Sequence, residues 1–121
     1  MLTQNQIVRL QDLGFSACHS GAVCEARKIF DGLLKLRPDN TAVRIGQALS
    51  HIVVDEFPMA EEILRDQVLA THPDDPEAEI MLGLCYILSG RHDEARVLLA
   101  KVEGQQTASG QLARDLLTGL G

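Results

Sequence analysis

A chain of 121 residues with a hydrophobic fraction of 45% can enclose one core without a metal or a disulfide framework. Only 3% of it is aromatic, so that core must be Leu, Ile, Val and Ala, which suits packed helices better than a sheet. The net charge of -6 argues against a nucleic-acid partner, because phosphate binding needs clustered Lys and Arg.

The N-terminal stretch MLTQNQIVRLQD is polar and has no apolar run after a basic start, unlike a secretory leader. A first helix is expected at about 4–20. Gly21 stands where a left-handed cap would end it. A second helix is expected at 22–36, stopped by Pro38, which cannot continue the hydrogen-bond ladder. Asp39 and Asn40 can cap a third helix at 41–54. Pro58 can open a fourth at 58–71, stopped by Pro73. Asp74 and Asp75 can cap a fifth at 76–89, with Pro76 in its first turn. Gly90 offers another left-handed cap before a sixth helix at 92–103. After a loop at 102–109, a seventh at 108–119 places Leu112, Leu116 and Leu117 on one face. The longest apolar stretch, 81–88, is far too short to span a membrane. These readings lead to the expectation of a cytoplasmic protein with no membrane insertion.

These elements repeat. Gly14, Ala26, Phe30 and Pro38 recur as Ala48, Ala60, Leu64 and Pro73, then as Gly83, Ala95 and Leu99. The step from Ala26 to Ala60 is 34 positions and that from Ala60 to Ala95 is 35. The pattern resembles the tetratricopeptide repeat of about 34 residues, with its L-G, A-x3-F and P signature. LGFSACHSGAVCEARKIFDGLLKLRP and LGLCYILSGRHDEARVLL carry it most fully, with Leu13-Gly14, Leu82-Gly83 and Tyr86 in place. The middle copy is degenerate, with Gln47 where Leu is expected and its proline one residue late. The resemblance implies an all-α helical-hairpin solenoid in a single domain, 1–121. Its repeats fall at about 7–40, 41–75 and 76–107, and the helix at 108–119 covers the apolar end that a stacked array leaves.

In that family the first helix of each pair lines a concave face. The corresponding offsets here hold Val8, Gln11, Phe15 and Cys18 in the first copy. They hold Ala42, Ile45, Leu49 and Ile52 in the second, and Glu77, Ile80, Leu84 and Ile87 in the third. Family members that clamp an acidic C-terminal tail carry Lys, Arg and Asn there, and this chain carries none. The candidate partner-binding residues are therefore Val8, Phe15, Cys18, Ile45, Leu49, Ile52, Ile80, Leu84 and Ile87. Such an apolar groove suits an amphipathic helix docked by anchors at i, i+3, i+4 and i+7. If the middle copy's register slips by one, Ile45, Leu49 and Ile52 become core instead.

Other signals read more plainly. Cys18, His19 and Cys24 lie close together, but no further pair completes four metal ligands. With an odd number of cysteines and no C-x-x-C, free buried thiols in a reducing compartment are the simpler reading of Cys18, Cys24 and Cys85. His19, His51, His72 and His92 fall near helix ends, where a surface place is the default. The acidic run 74–79 suits a helix N-terminus. No phosphate-binding, zinc-hydrolase or nucleophile-elbow motif is present, so neither an enzyme nor a cofactor is expected.

The stretches AVRIGQALSHIVVDEFPMAEEILRDQVLATHPDDP and LSGRHDEARVLLAKV are similar in layout to the small cytoplasmic chaperones of bacterial type III secretion. Among these are the chaperone of the early export substrate, the Hrp-type repeat proteins and the needle-subunit chaperone. The resemblance implies a protein partner, an amphipathic helical segment of a secreted component, held in a heterodimer or small hetero-complex. A generic tetratricopeptide scaffold or adaptor and a self-associating structural homo-oligomer, such as a homodimer, are the competing classes.

Overall fold

The computed structural model describes residues 2–120. Two compact units make up the chain, divided in sequence between Ile63 and Leu64. The first contains α1 (Gln4–His19), α2 (Val23–Leu36), α3 (Thr41–Ile52) and α4 (Phe57–Glu62). A π-helical segment, Ile63–Leu69, follows α4 directly. The second unit holds the rest of that segment with α5 (Pro76–Leu88), α6 (His92–Glu103) and α7 (Ala108–Leu120). Among the described residues there is no strand.

Local chemistry sets the helix ends where the sequence places them. The Asn40 side chain accepts from the Val43 N–H at 3.3 Å and that of Asp75 from the Ala78 N–H at 3.1 Å. Each satisfies a donor that the first helical turn leaves open. Pro58 and Pro76 sit in the first turns of α4 and α5. Gly21 and Gly90 have φ of +86° and +83°, the left-handed geometry that side chains with a Cβ disfavour. Two further devices were not legible in the spacing. Thr3 and Gln6 form a reciprocal capping box at the start of α1, and Asp55 turns the chain between α3 and α4 at φ +62°.

In the first unit α3 packs on both α1 and α2. The fully buried ring of Phe30, from α2, lies against Gly14 and Gly46. A Cβ added at either glycine would come within 2.5 Å of that ring. Gly14 is a signature position, as expected; Gly46 lies two residues before Ala48, the position matched to Gly14, and is set only by the packing. In the second unit α7 packs on α6 and α5 as α3 does on α2 and α1. There Leu99 takes the place of Phe30, 2.8 Å from where a Gly83 Cβ would lie.

The face that α7 buries differs from the expected leucine stripe. Gly110 and Ala113 are buried, Leu116 and Leu117 are half-buried, and Leu112 is exposed. The cause is close approach, since a Cβ on Gly110 would meet the Gln105 carbonyl oxygen at 1.9 Å. Only small residues can face inward there, so the leucines flank the contact. The single helix expected over 58–71 is likewise divided, α-helical to Glu62 and π-helical to Leu69. Cys18 and Cys85 are buried, but Cys24 is exposed in the first turn of α2. No helix among the described residues is long and apolar enough to cross a membrane.

Candidate partner-binding surface

The residues proposed for a concave face sort by helix. On α1, Val8 and Phe15 are seven positions apart and so share a side. Val8 is 41% exposed and Phe15 is half-buried. Phe15 meets Phe30 edge to face, with centroids 5.4 Å apart, which holds its ring in one orientation. Cys18, on the same helix, is 2% exposed; burial pushes its thiol pKa up, against a smaller lowering by Arg27. On α3, Ile45, Leu49 and Ile52 share one side at i, i+4 and i+7, and all three are buried.

On α5, Ile80, Leu84 and Ile87 share a side at the same spacing. Ile80 is buried, Leu84 and Ile87 are half-buried, and Leu88 beside them is 52% exposed. Of the nine, those that keep accessible surface are therefore Val8 and Phe15 in the first unit and Leu84 and Ile87 in the second. The other five, Cys18, Ile45, Leu49, Ile52 and Ile80, are buried.

Polar groups hold the first unit's helices in register. The Asn40 amide donates to the Gln11 side-chain oxygen at 2.9 Å, tying α1 to the start of α3. From α2, Arg27 donates through Nε to Ser50 Oγ at 3.1 Å and through Nη2 to the Ser50 carbonyl at 3.2 Å. It also pairs with Glu56 at 2.7 Å, whose carboxylate lies 2.9 Å from His51 Nδ1. Contacts with His51, then with Arg27, hold the Glu56 carboxyl below its usual range. His51 is thus engaged at the end of α3, while His19, His72 and His92 are exposed as expected. Nothing in the repeat spacing marks this cluster, because its members come from α2, the end of α3 and a turn.

Several exposed apolar side chains lie outside the expected face: Val53, Val54, Met59 and Val97. Leu13, a signature position, is 56% exposed, whereas its counterpart Leu82 is 4% exposed.

A tetratricopeptide repeat model matches residues 60–120. The chain belongs to the tetratricopeptide repeat family. Solved structures share its fold over most or nearly all of its length. SycD, the type III secretion translocator chaperone of Yersinia enterocolitica, solved as an alternative dimer, superposes with a TM-score of 0.78 at 16% identity. That match covers 98% of this chain and 93% of SycD. A chain of the CopN-Scc3 complex superposes at 0.68 and 16% identity, over 98% of this chain and 69% of that one. A MamA RS-1 double mutant does so at 0.60 and 24% identity, over 82% and 55%. No curated protein sequence matches significantly.

Proposed function

We propose that the chain is a protein-binding chaperone of type III secretion, which covers an amphipathic helix of an export substrate in the cytoplasm until it is released for export. The observation that carries this reading is the end-to-end likeness to a translocator chaperone, 98% of this chain against 93% of SycD. The accessible apolar positions on the first helices support it. Val8 and Phe15 in the first unit, and Leu84 and Ile87 in the second, each offer a spaced pair of apolar anchors for a helical ligand. A groove burying about 800 Å² on each partner is enough for a stable specific complex. No catalytic group, cofactor or metal enters the reading.

The test is affinity purification of the tagged chain from its own cells, with mass spectrometry of what accompanies it. A small secreted protein with an apolar helical segment, in near-stoichiometric amount, is the expected result. Leu84→Glu should remain helical and monodisperse yet lose that partner. A folded Leu84→Glu variant that retains it would remove α5 from the binding surface. Self-association is the second reading, favoured by the dimer in which SycD was solved; light scattering on the purified chain distinguishes it.

A further inference from the structure

The middle of the chain carries one residue more than its repeat allows. Ala26 and Ala60 are 34 positions apart and Ala60 and Ala95 are 35. Leu64 follows Ala60 by four, as Phe30 follows Ala26. Pro73 then follows Ala60 by 13 positions, where Pro38 follows Ala26 by 12. The surplus residue therefore lies between 64 and 73. The π-helical segment Ile63–Leu69 overlaps that interval, and the Ala70 N–H donates to the Arg65 carbonyl, five residues back, at 2.9 Å. A π turn lets a helix hold one added residue without losing its ladder.

The segment is anchored unevenly. Leu64 and Val68 are fully buried, while Arg65, Asp66 and Gln67 between them are all exposed. Arg65 donates to the Tyr86 hydroxyl, and its guanidinium lies 5.3 Å from the Tyr86 ring centroid. Arg91 lies 4.7 Å from the same centroid. The sequence division between the two compact units falls at the first residue of the segment.

We propose that residues 63–69 are a built-in opening point. Here the second helix of the middle repeat unfolds locally, ahead of the α-helices, because its ladder holds a surplus residue, and the Arg65–Tyr86 contact is its latch. Elements that move in binding or release come from the least stable parts of a fold, and π turns inside helices occur frequently at functional sites.

Native-state amide hydrogen exchange on the whole chain tests this. Amides 66–71 should exchange at least about tenfold faster than those in the middle of α2 and α5. Deleting the exposed Asp66 restores the 34-residue step and should leave a folded helical protein in which exchange of this stretch slows by about tenfold. Arg65→Ala in the undeleted chain should speed exchange in the stretch and leave α2 unchanged. Wild-type exchange as slow as that of α5 would overturn the proposal. So would a folded deletion variant with unaltered exchange, or an unfolded one, since the added residue would then be a packing element. An Arg65→Ala chain with unaltered exchange in the stretch would overturn the latch.

Discussion

Phe30 should be the residue on which the first unit's packing turns, and Gly46 its most sensitive neighbour. Gly46→Ala places a methyl carbon 2.5 Å from Cζ and 2.7 Å from Cε1 of a ring with no exposed surface. Carbon atoms in contact sit about 3.5–4.0 Å apart, so ring or helix must shift by roughly 1 Å. A Cβ at Gly14 would meet the same ring at the same 2.5 Å distance, so the ring is packed closely against both α1 and α3. Overpacking of this kind costs about 1–3 kcal/mol. Each kcal/mol lowers Tm by roughly 4–8 °C in a unit of this size. The assay is urea denaturation followed by far-UV circular dichroism, on wild type, Gly46→Ala, Phe30→Leu and the double variant. A leucine removes the ring atoms that the methyl meets. The double variant should therefore be more stable than the sum of the two single losses by at least about 0.5 kcal/mol. Strict additivity would refute the reasoning, because it would mean that methyl and ring do not meet.

The remaining predictions concern turns and charge. Gly110→Ala drives a methyl into the Gln105 carbonyl, so α7 should lose its seat; limited proteolysis should cut between α6 and α7 faster than in wild type. Gly21→Ala meets nothing within 4 Å but has φ +86°, so its cost should be backbone strain alone, about 1–2 kcal/mol, read as a lowered urea midpoint at unchanged slope. Glu79 is buried, and burial raises its pKa, with Lys101 opposing and Asp74 and Asp75 adding to the rise. Its folded form therefore holds the proton more tightly than the unfolded chain, and stability falls as pH rises through the raised value. Glu79→Gln should thus have a higher Tm than wild type at neutral pH, a gap that closes below the ordinary carboxylate range; a gap independent of pH would refute the charge argument.

Much of the fold was legible because the signals that set it are local. Pro38, Asn40, Gly90 and Asp75 each act within a few residues on a cap, a stop or a turn. They placed the helix ends to within about two residues, the usual uncertainty of such boundaries. The alanines at 26, 60 and 95, all fully buried, and the glycines at 14 and 83, each pressed against a second-helix side chain, recur at the repeat's period. The candidate surface was legible only in part. Spacing placed Val8, Phe15, Leu84 and Ile87 on the sides of their helices that retain accessible area. The same spacing selected Cys18, Ile45, Leu49, Ile52 and Ile80, which are buried.

The amino-acid order alone therefore determined the all-α class, the repeat period, the helix boundaries and the single-residue surplus before Pro73, each through interactions spanning a turn or two of chain. Tertiary structure decided which of two equally apolar positions keeps its surface and which glycine meets Phe30. It also assembled Arg27, Ser50, His51 and Glu56 from separate segments. These outcomes depend on the distance between helices remote in sequence. Periodicity gives the side of a helix on which a residue lies; only packing sets how near the next helix comes to it.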